Sequence, residues 1–219
     1  MALIYPPSCD PTAPYLAVPM LTGFLRSRGA TVLPIDANID AYDALLSPGS
    51  LRRLRDRIEA RIADLDAQKS LSHVDQLIYS TLQQARGDAH AVPTRIVAAK
   101  ATLRHPTRFY DPDAYGRAVA TIDAALRVVS AAYAPLNLDF TAYRTPFSLT
   151  SPDEIAHDAQ PDHDPFDPYT ERDLIPRLRA AAPRIVGLSV CFPGQLQPTF
   201  SMAPALNSGT KIWSYLPNG

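Results

Sequence analysis

Two short apolar runs bracket a helix-like segment at the start of the chain. Ala2-Leu3-Ile4-Tyr5 is uniformly apolar and ends at Pro6-Pro7, the pattern of a buried strand entering a rigid loop. Pro19 suits the first turn of a helix, where its fixed φ is already helical and its missing N–H is not needed. Met20, Leu21, Phe24 and Leu25 follow at helical spacing, and Gly29 stands where a helix C-cap is expected. Residues 31–35 read as a second strand, with Asp36 and Asn38 beyond its carboxyl end. Strand, helix and strand in so short a span form a βαβ unit, and such a crossover implies parallel pairing.

The same grammar returns near the end. Residues 171–182 read as a helix with Leu174, Ile175 and Leu178 on one side and Pro176 near its start. Residues 184–190 are a strong buried strand, 191–198 a loop containing glycine and proline, and 199–206 a short helix that Pro204 disturbs. Lys211-Ile212-Trp213 reads as a fourth strand. Between the two regions the period changes. Residues 50–66 place Leu51, Leu54, Ile58, Ile62 and Leu65 on one helical face, residues 71–85 and 113–133 are further helical patterns, and 151–168 is a loop or linker rich in proline and aspartate. The expected fold is α/β, a Rossmann-like (flavodoxin-like) parallel sheet built from residues 1–37 and 171–219 and incomplete at its C-terminus. A helical insertion and linker, residues 38–170, separates its second and third strands.

Composition narrows the function classes. In 219 residues, 46% are hydrophobic and 20% charged, so a core can form. The net charge of −1 offers no global field for nucleic acid or an anionic membrane. With 22 prolines against 9 glycines and apolar runs between them, the prolines imply rigid turns and helix starts, not disorder. No apolar run approaches a membrane span, and the start lacks the charged region and longer apolar stretch of a signal peptide, so a cytoplasmic location is expected. There Cys9 and Cys191 are expected as thiols. Arg52, Arg53, Arg55, Arg57 and Arg61 are interleaved with acids, so a solvated helix face with Arg52–Asp56 and Arg55–Glu59 pairs is expected rather than a nucleic-acid surface.

In an open parallel sheet, ligands bind beyond the carboxyl ends of the strands, where strand order reverses. The loops concerned are residues 6–15, 36–38 and 191–198. The first, PPSCDPTAPY, carries four prolines and no GxGxxG, so it lacks the close backbone approach that a dinucleotide pyrophosphate needs. The last, CFPGQLQP, offers backbone amides around Gly194 and the side-chain amides of Gln195 and Gln197, a set suited to a large, flat, polar-edged ligand; an ordinary strand-to-helix turn reads equally well. The run His157, Asp158, Asp162, His163, Asp164, Asp167 matches no established metal-ligand spacing, and no metal site is assigned. Ser189 and Cys191 have no acid or base that the sequence places beside them, so no catalytic residue is assigned.

Four blocks carry a resemblance to a known family. They are LIYPP with APYLAVPMLTGFLRSRG, then Asp36-Ala37-Asn38-Ile39, then DPFDPY, and then PRIVGLSVCFPGQLQPTFSMA. In that order they resemble the N-terminal cobalamin-binding region of cobalamin-dependent radical S-adenosylmethionine proteins. The resemblance implies a sheet that holds cobalamin against a downstream barrel, where S-adenosylmethionine on an iron–sulfur cluster starts radical chemistry. It implies corrin contacts from Pro6, Pro7, Ser8 and Tyr15 and from Ser189, Cys191, Phe192, Gly194, Gln195 and Leu196, with Ser189, Gly194 and Gln195 as the polar ones. The chain departs from the family in three respects, one being Ser214-Tyr215-Leu216-Pro217-Asn218-Gly219 where the resemblance implies a G-G-x-H-like loop. Two cysteines cannot build the cluster, so the S-adenosylmethionine barrel is expected as a partner in trans. No D-x-H-x-x-G supplies a histidine to cobalt; Asp88-Ala89-His90 lacks the glycine. The expected function is a cobalamin-binding module without catalysis of its own, and the alternative is a truncated, non-binding remnant acting as a protein-interaction module.

Overall fold

A computed structural model describes residues 1–13, 15–147 and 149–207. The chain is a mixed α/β protein of two compact units. One comprises Met1–Tyr42, Phe140–Ala142 and the chain from Phe147 onward; the other comprises Asp43–Asp139 and Tyr143–Pro146. The stretch from Phe147 to the third long strand therefore belongs with the sheet, not with the helical segment.

In the first unit, β1 (Ala2–Tyr5) is flanked by β2 (Leu33–Asp36) and β5 (Val186–Leu188), giving the order β2-β1-β5. Both pairings are parallel, with Ile4 opposite Ile35 on one side and Leu188 on the other. All of β1 is buried, as its unbroken apolar sequence requires of a central strand. Helix α1 (Ala17–Ser27) joins β1 to β2. Leu3 and Tyr5, two residues apart and so on one face, pack with Val18 and Val32 and are bordered by Leu25, Ala30 and Cys9. The end of α1 is a Schellman motif: Gly29, at φ +83°, donates to the Arg26 carbonyl, and Ala30 donates to Leu25. The expected C-cap glycine is thus in place. The helix faces differ from expectation, since Val18 and Thr22 point inward while Met20, Leu21 and Phe24 lie outside.

The return to the sheet is more helical than its prolines suggest. Residues 151–168 are not a plain linker: α6 (Pro152–Asp158) forms there, because Ser151 accepts from the Glu154 N–H, Pro152 opens the first turn, and Asp153 and Glu154 complement the dipole. Helix α7 (Asp167–Tyr169) leads through a π-helical stretch, Thr170–Leu174, into α8 (Ile175–Ala181). Strand β5 spans only three residues of the longer apolar run. A 3₁₀ turn, Pro193–Gln195, then starts α9 (Leu196–Asn207), which continues through Pro204. The expected fourth strand at Lys211-Ile212-Trp213 lies outside the described residues.

The second unit packs α3 (Pro48–Asp66), α4 (His73–Leu103) and α5 (Pro112–Ala132), with α2 (Ala37–Leu45) leading into it. Ser47, Ser72 and Asp111 cap the three helices through their side-chain oxygens. Leu51, Leu54, Ile58, Ile62 and Leu65 are all buried, as the period of α3 predicts, and each contributes about 2 kcal/mol of hydrophobic stabilisation. Helix α4 runs 18 residues past the expected stop at position 85, through buried Pro93. The ring removes one backbone hydrogen bond, and the packing of Ala89, Val92, Ile96 and Ala99 offsets the loss. The expected ion pairs along α3 are replaced. Arg55 bonds its neighbour Asp56 at 2.7 Å, and Glu59 reaches across to Arg86 at 2.8 Å and His90 at 2.9 Å on α4. A two-residue ladder, β3 (Asn137–Leu138) with β4 (Tyr143–Arg144), interrupts a region expected to hold no strands. Among the described residues, no helix is long and apolar enough to cross a membrane.

Candidate ligand site at the carboxyl end of the sheet

β1 lies between β2 and β5, so strand order reverses beside it, and the loops after β1 and β5 meet there. The first loop is tied down on one side. Ser8 is buried, and its Oγ lies 2.7 Å from the Tyr42 hydroxyl. The Cys9 N–H donates to Asn38 Oδ1 at 3.0 Å. Asn38 and Tyr42 are four residues apart on α2 and so share a face, which anchors the β1 loop to the start of that helix. Asp10 closes a local turn by accepting from the N–H and hydroxyl of Thr12.

Gln195 joins the two loops. It is fully buried, and its Nε2 donates to the Pro6 carbonyl at 2.6 Å. Its Oε1 accepts from the N–H groups of Cys191 at 2.7 Å and Phe192 at 3.1 Å. Pro6 and Pro7 carry no backbone N–H, so this part of the loop offers only carbonyl acceptors. The side chain thereby satisfies three backbone groups that the sheet ladder leaves open. Ser189 extends that ladder by one bond, donating its N–H to the Ile4 carbonyl at 2.8 Å.

An aromatic ledge forms beside this clamp. Tyr5 and Tyr15 stack with ring centres 5.3 Å apart and 12° between planes, and Phe192 meets Tyr15 edge-on at 5.5 Å. Tyr15, Val190 and Phe192 remain 37–42% exposed. Cys191 is exposed among them, its Sγ 3.6 Å from Ser189 Oγ. The Cys191 thiol beside the Tyr15 hydroxyl raises that phenol's pKa. Burial, with the Cys9 thiol beside it, raises the Tyr5 phenol strongly. Its hydroxyl is buried yet makes no hydrogen bond of sound geometry among the described residues, an orphaned donor at the root of the ledge.

The residues expected from sequence thus occupy three kinds of position. Pro6, Pro7, Ser8 and Gln195 are interior and shape the loops. Ser189, Gly194 and Leu196 are half-buried. Tyr15, Cys191 and Phe192 present outward. Gln195, expected as a polar ligand contact, spends both ends of its amide on the protein backbone. Gln197 lies inward, with both amide atoms unpaired among the described residues. Tyr5, Cys9 and Tyr42 were not anticipated; the signals were a polar aromatic ending an apolar strand and the four-residue step from Asn38.

The donor set bears on a corrin. A flat macrocycle needs a broad apolar ledge with polar groups at its rim, and Tyr15, Val190 and Phe192 with Ser189 and the thiol of Cys191 fit that demand. None of the three strand-end loops carries a histidine, so cobalt would receive no imidazole from them. Among the described residues, no group of three or more His, Cys, Asp or Glu side chains is arranged to hold a bare metal ion, and His157 and His163 contact each other ring to ring at 5.4 Å. Comparison with family models, curated proteins and solved structures finds no match to this chain.

Proposed function

We propose that the α/β unit is a cobalamin-binding module that acts with a radical S-adenosylmethionine barrel on another chain. The sheet is then the core of a flavodoxin-like arrangement, with the ligand between the loops of its first and third long strands. The observation that carries the reading is the Gln195 clamp. It brings the two expected loops together and sets the Tyr15–Phe192 ledge beside them. In this role Tyr15, Val190 and Phe192 bear the macrocycle, Ser189 and Cys191 meet its polar edge, and Gln195 positions both loops without touching the ligand. The cofactor supplies cobalt chemistry such as methyl transfer, and the chain binds and orients it. Two cysteines are too few for an iron–sulfur cluster, so in this reading the radical-generating chemistry comes from a domain outside these 219 residues.

The test mixes the purified chain with hydroxocobalamin and records the visible spectrum of the protein peak after gel filtration. Co-eluting corrin, lost in Phe192→Ala, is expected; a peak free of corrin refutes the proposal. A second reading, a protein-interaction module, draws on the outer face of α1, where Leu16, Met20 and Phe24 stand 56–69% exposed in a row four residues apart. A chain that stays monomeric at high concentration and binds corrin fully counts against it.

A further inference from the structure

The helical unit contains a groove unrelated to the sheet. It lies between α4 and α5 and has a volume of about 720 Å³, within the range of small-ligand sites. Its floor includes the buried alanines Ala99, Ala118 and Ala124, whose short side chains leave the hollow. Its rim is basic. Arg95 comes from α4, Arg108 from the 3₁₀ turn Arg108–Tyr110, and Arg117 and Arg127 from α5. The one acid in the lining, Asp88, is bound to Arg127 at 2.9 Å.

Among the described residues, that leaves the guanidinium groups of Arg95, Arg108 and Arg117 without a carboxylate partner, and the groove lining with a formal charge of +3 in a chain whose net charge is −1. Other arginines of this unit are partnered: Arg55 by Asp56, Arg86 by Glu59, Arg104 by Asp43, and Arg57 by the Tyr133 ring. Thr102, on the groove floor, is buried and adds a hydroxyl. Three exposed like charges around one hollow favour an anion there. Guanidinium pairs with phosphate through two parallel hydrogen bonds.

A second, independent feature adjoins the groove. Phe109, Tyr110 and Tyr115 form an aromatic cluster, with Phe109 5.2 Å from Tyr110 and 5.4 Å from Tyr115, centre to centre. All three stay exposed, Tyr110 at 79%. Phe109 follows Arg108 in the chain, and Tyr115 follows the lining residue Ala114, so the rings stand at the groove's end. Exposed aromatic faces stack on heterocyclic bases.

We infer that the α4–α5 groove is a binding site for a nucleoside phosphate. Arg95, Arg108 and Arg117 hold the phosphates, and the Phe109–Tyr110–Tyr115 cluster stacks the base. The site lies wholly within the helical unit and does not depend on the cobalamin reading.

Isothermal titration calorimetry with ATP, inorganic tripolyphosphate and adenosine tests it on the full chain. ATP is expected to bind more tightly than tripolyphosphate, and adenosine weakest. Arg95→Ala combined with Arg117→Ala weakens ATP and tripolyphosphate at least tenfold. Tyr110→Ala brings ATP down to the affinity of tripolyphosphate. Arg52→Ala, on the exposed side of α3, changes neither, and circular dichroism melts confirm that each variant folds. No ATP binding at millimolar concentration, or ATP affinity within twofold of the wild type in the double arginine variant, overturns the inference. So does an oligoadenylate that binds far more tightly than ATP through the same arginines, since that marks a single-stranded nucleic-acid track.

Discussion

Asp164 makes stability depend on pH in a way that a single substitution isolates. Its side chain is 2% exposed. Burial pushes its carboxyl up to about 7, against the downward pull of the Phe166 N–H, which it accepts at 2.9 Å. The Ser201 hydroxyl beside it also pulls down, without a well-formed hydrogen bond, while Asp167 and Asp158 add repulsion. Between about pH 4 and pH 7 the folded chain therefore holds a proton at Asp164 that the unfolded chain has released. Stability from this group is fully present below the ordinary carboxylate value and is lost as pH rises through 7. A rise of about three units corresponds to roughly 4 kcal/mol across that window, at about 1.4 kcal/mol per pH unit. Asp164→Asn keeps the acceptor for Phe166 and removes the titration. Urea unfolding of both proteins at pH 4, 5, 6, 7 and 8 reads the effect as a difference, so other titrating groups cancel. The variant's stability relative to wild type is expected to climb by about 1.4 kcal/mol per pH unit from 4 to 7 and then to level off. Parallel profiles would refute the reasoning.

Two further substitutions probe the scaffold. Gln195→Leu keeps the volume but leaves the Pro6 carbonyl and the Cys191 and Phe192 amides unpaired; a loss on the order of 3 kcal/mol in chemical unfolding is expected, and a loss under 1 kcal/mol means the clamp is dispensable. Ala182 ends α8 at φ 42°, in the left-handed region. Ala182→Gly relieves that strain, less the extra freedom of glycine in the unfolded chain, for a net gain of about 0.5–1 kcal/mol and roughly 2 °C in Tm by calorimetry; an unchanged or lower Tm contradicts it.

Where local chemistry decides structure, the sequence was legible. The apolar run of β1, the five-residue stripe of α3 and the glycine after α1 each act within a few turns of chain, and each is found as read. Local capping was equally available at Ser151-Pro152-Asp153-Glu154, where a proline-rich composition hid it. Pro93 and Pro204 mislead for the opposite reason. A proline's cost is local, but the packing that offsets it comes from residues elsewhere in the fold.

The amino-acid pattern by itself determined that the two ends of this chain form parallel strands around a helical middle, because strand and helix periods are properties of short segments. It also singled out the loops after β1 and β5, which the fold brings together. Only the tertiary structure decided how those loops meet. Gln195 is separated from Pro6 by 189 positions, and its bond to that backbone carbonyl follows from complete burial, where an unpaired amide is costly. That Arg95, Arg108 and Arg117 find no carboxylate among the described residues was invisible for the same reason. Which guanidinium groups find a carboxylate is settled by the packing of helices, as Glu59 shows by reaching to Arg86 and His90 on α4 instead of to Arg55 on its own helix.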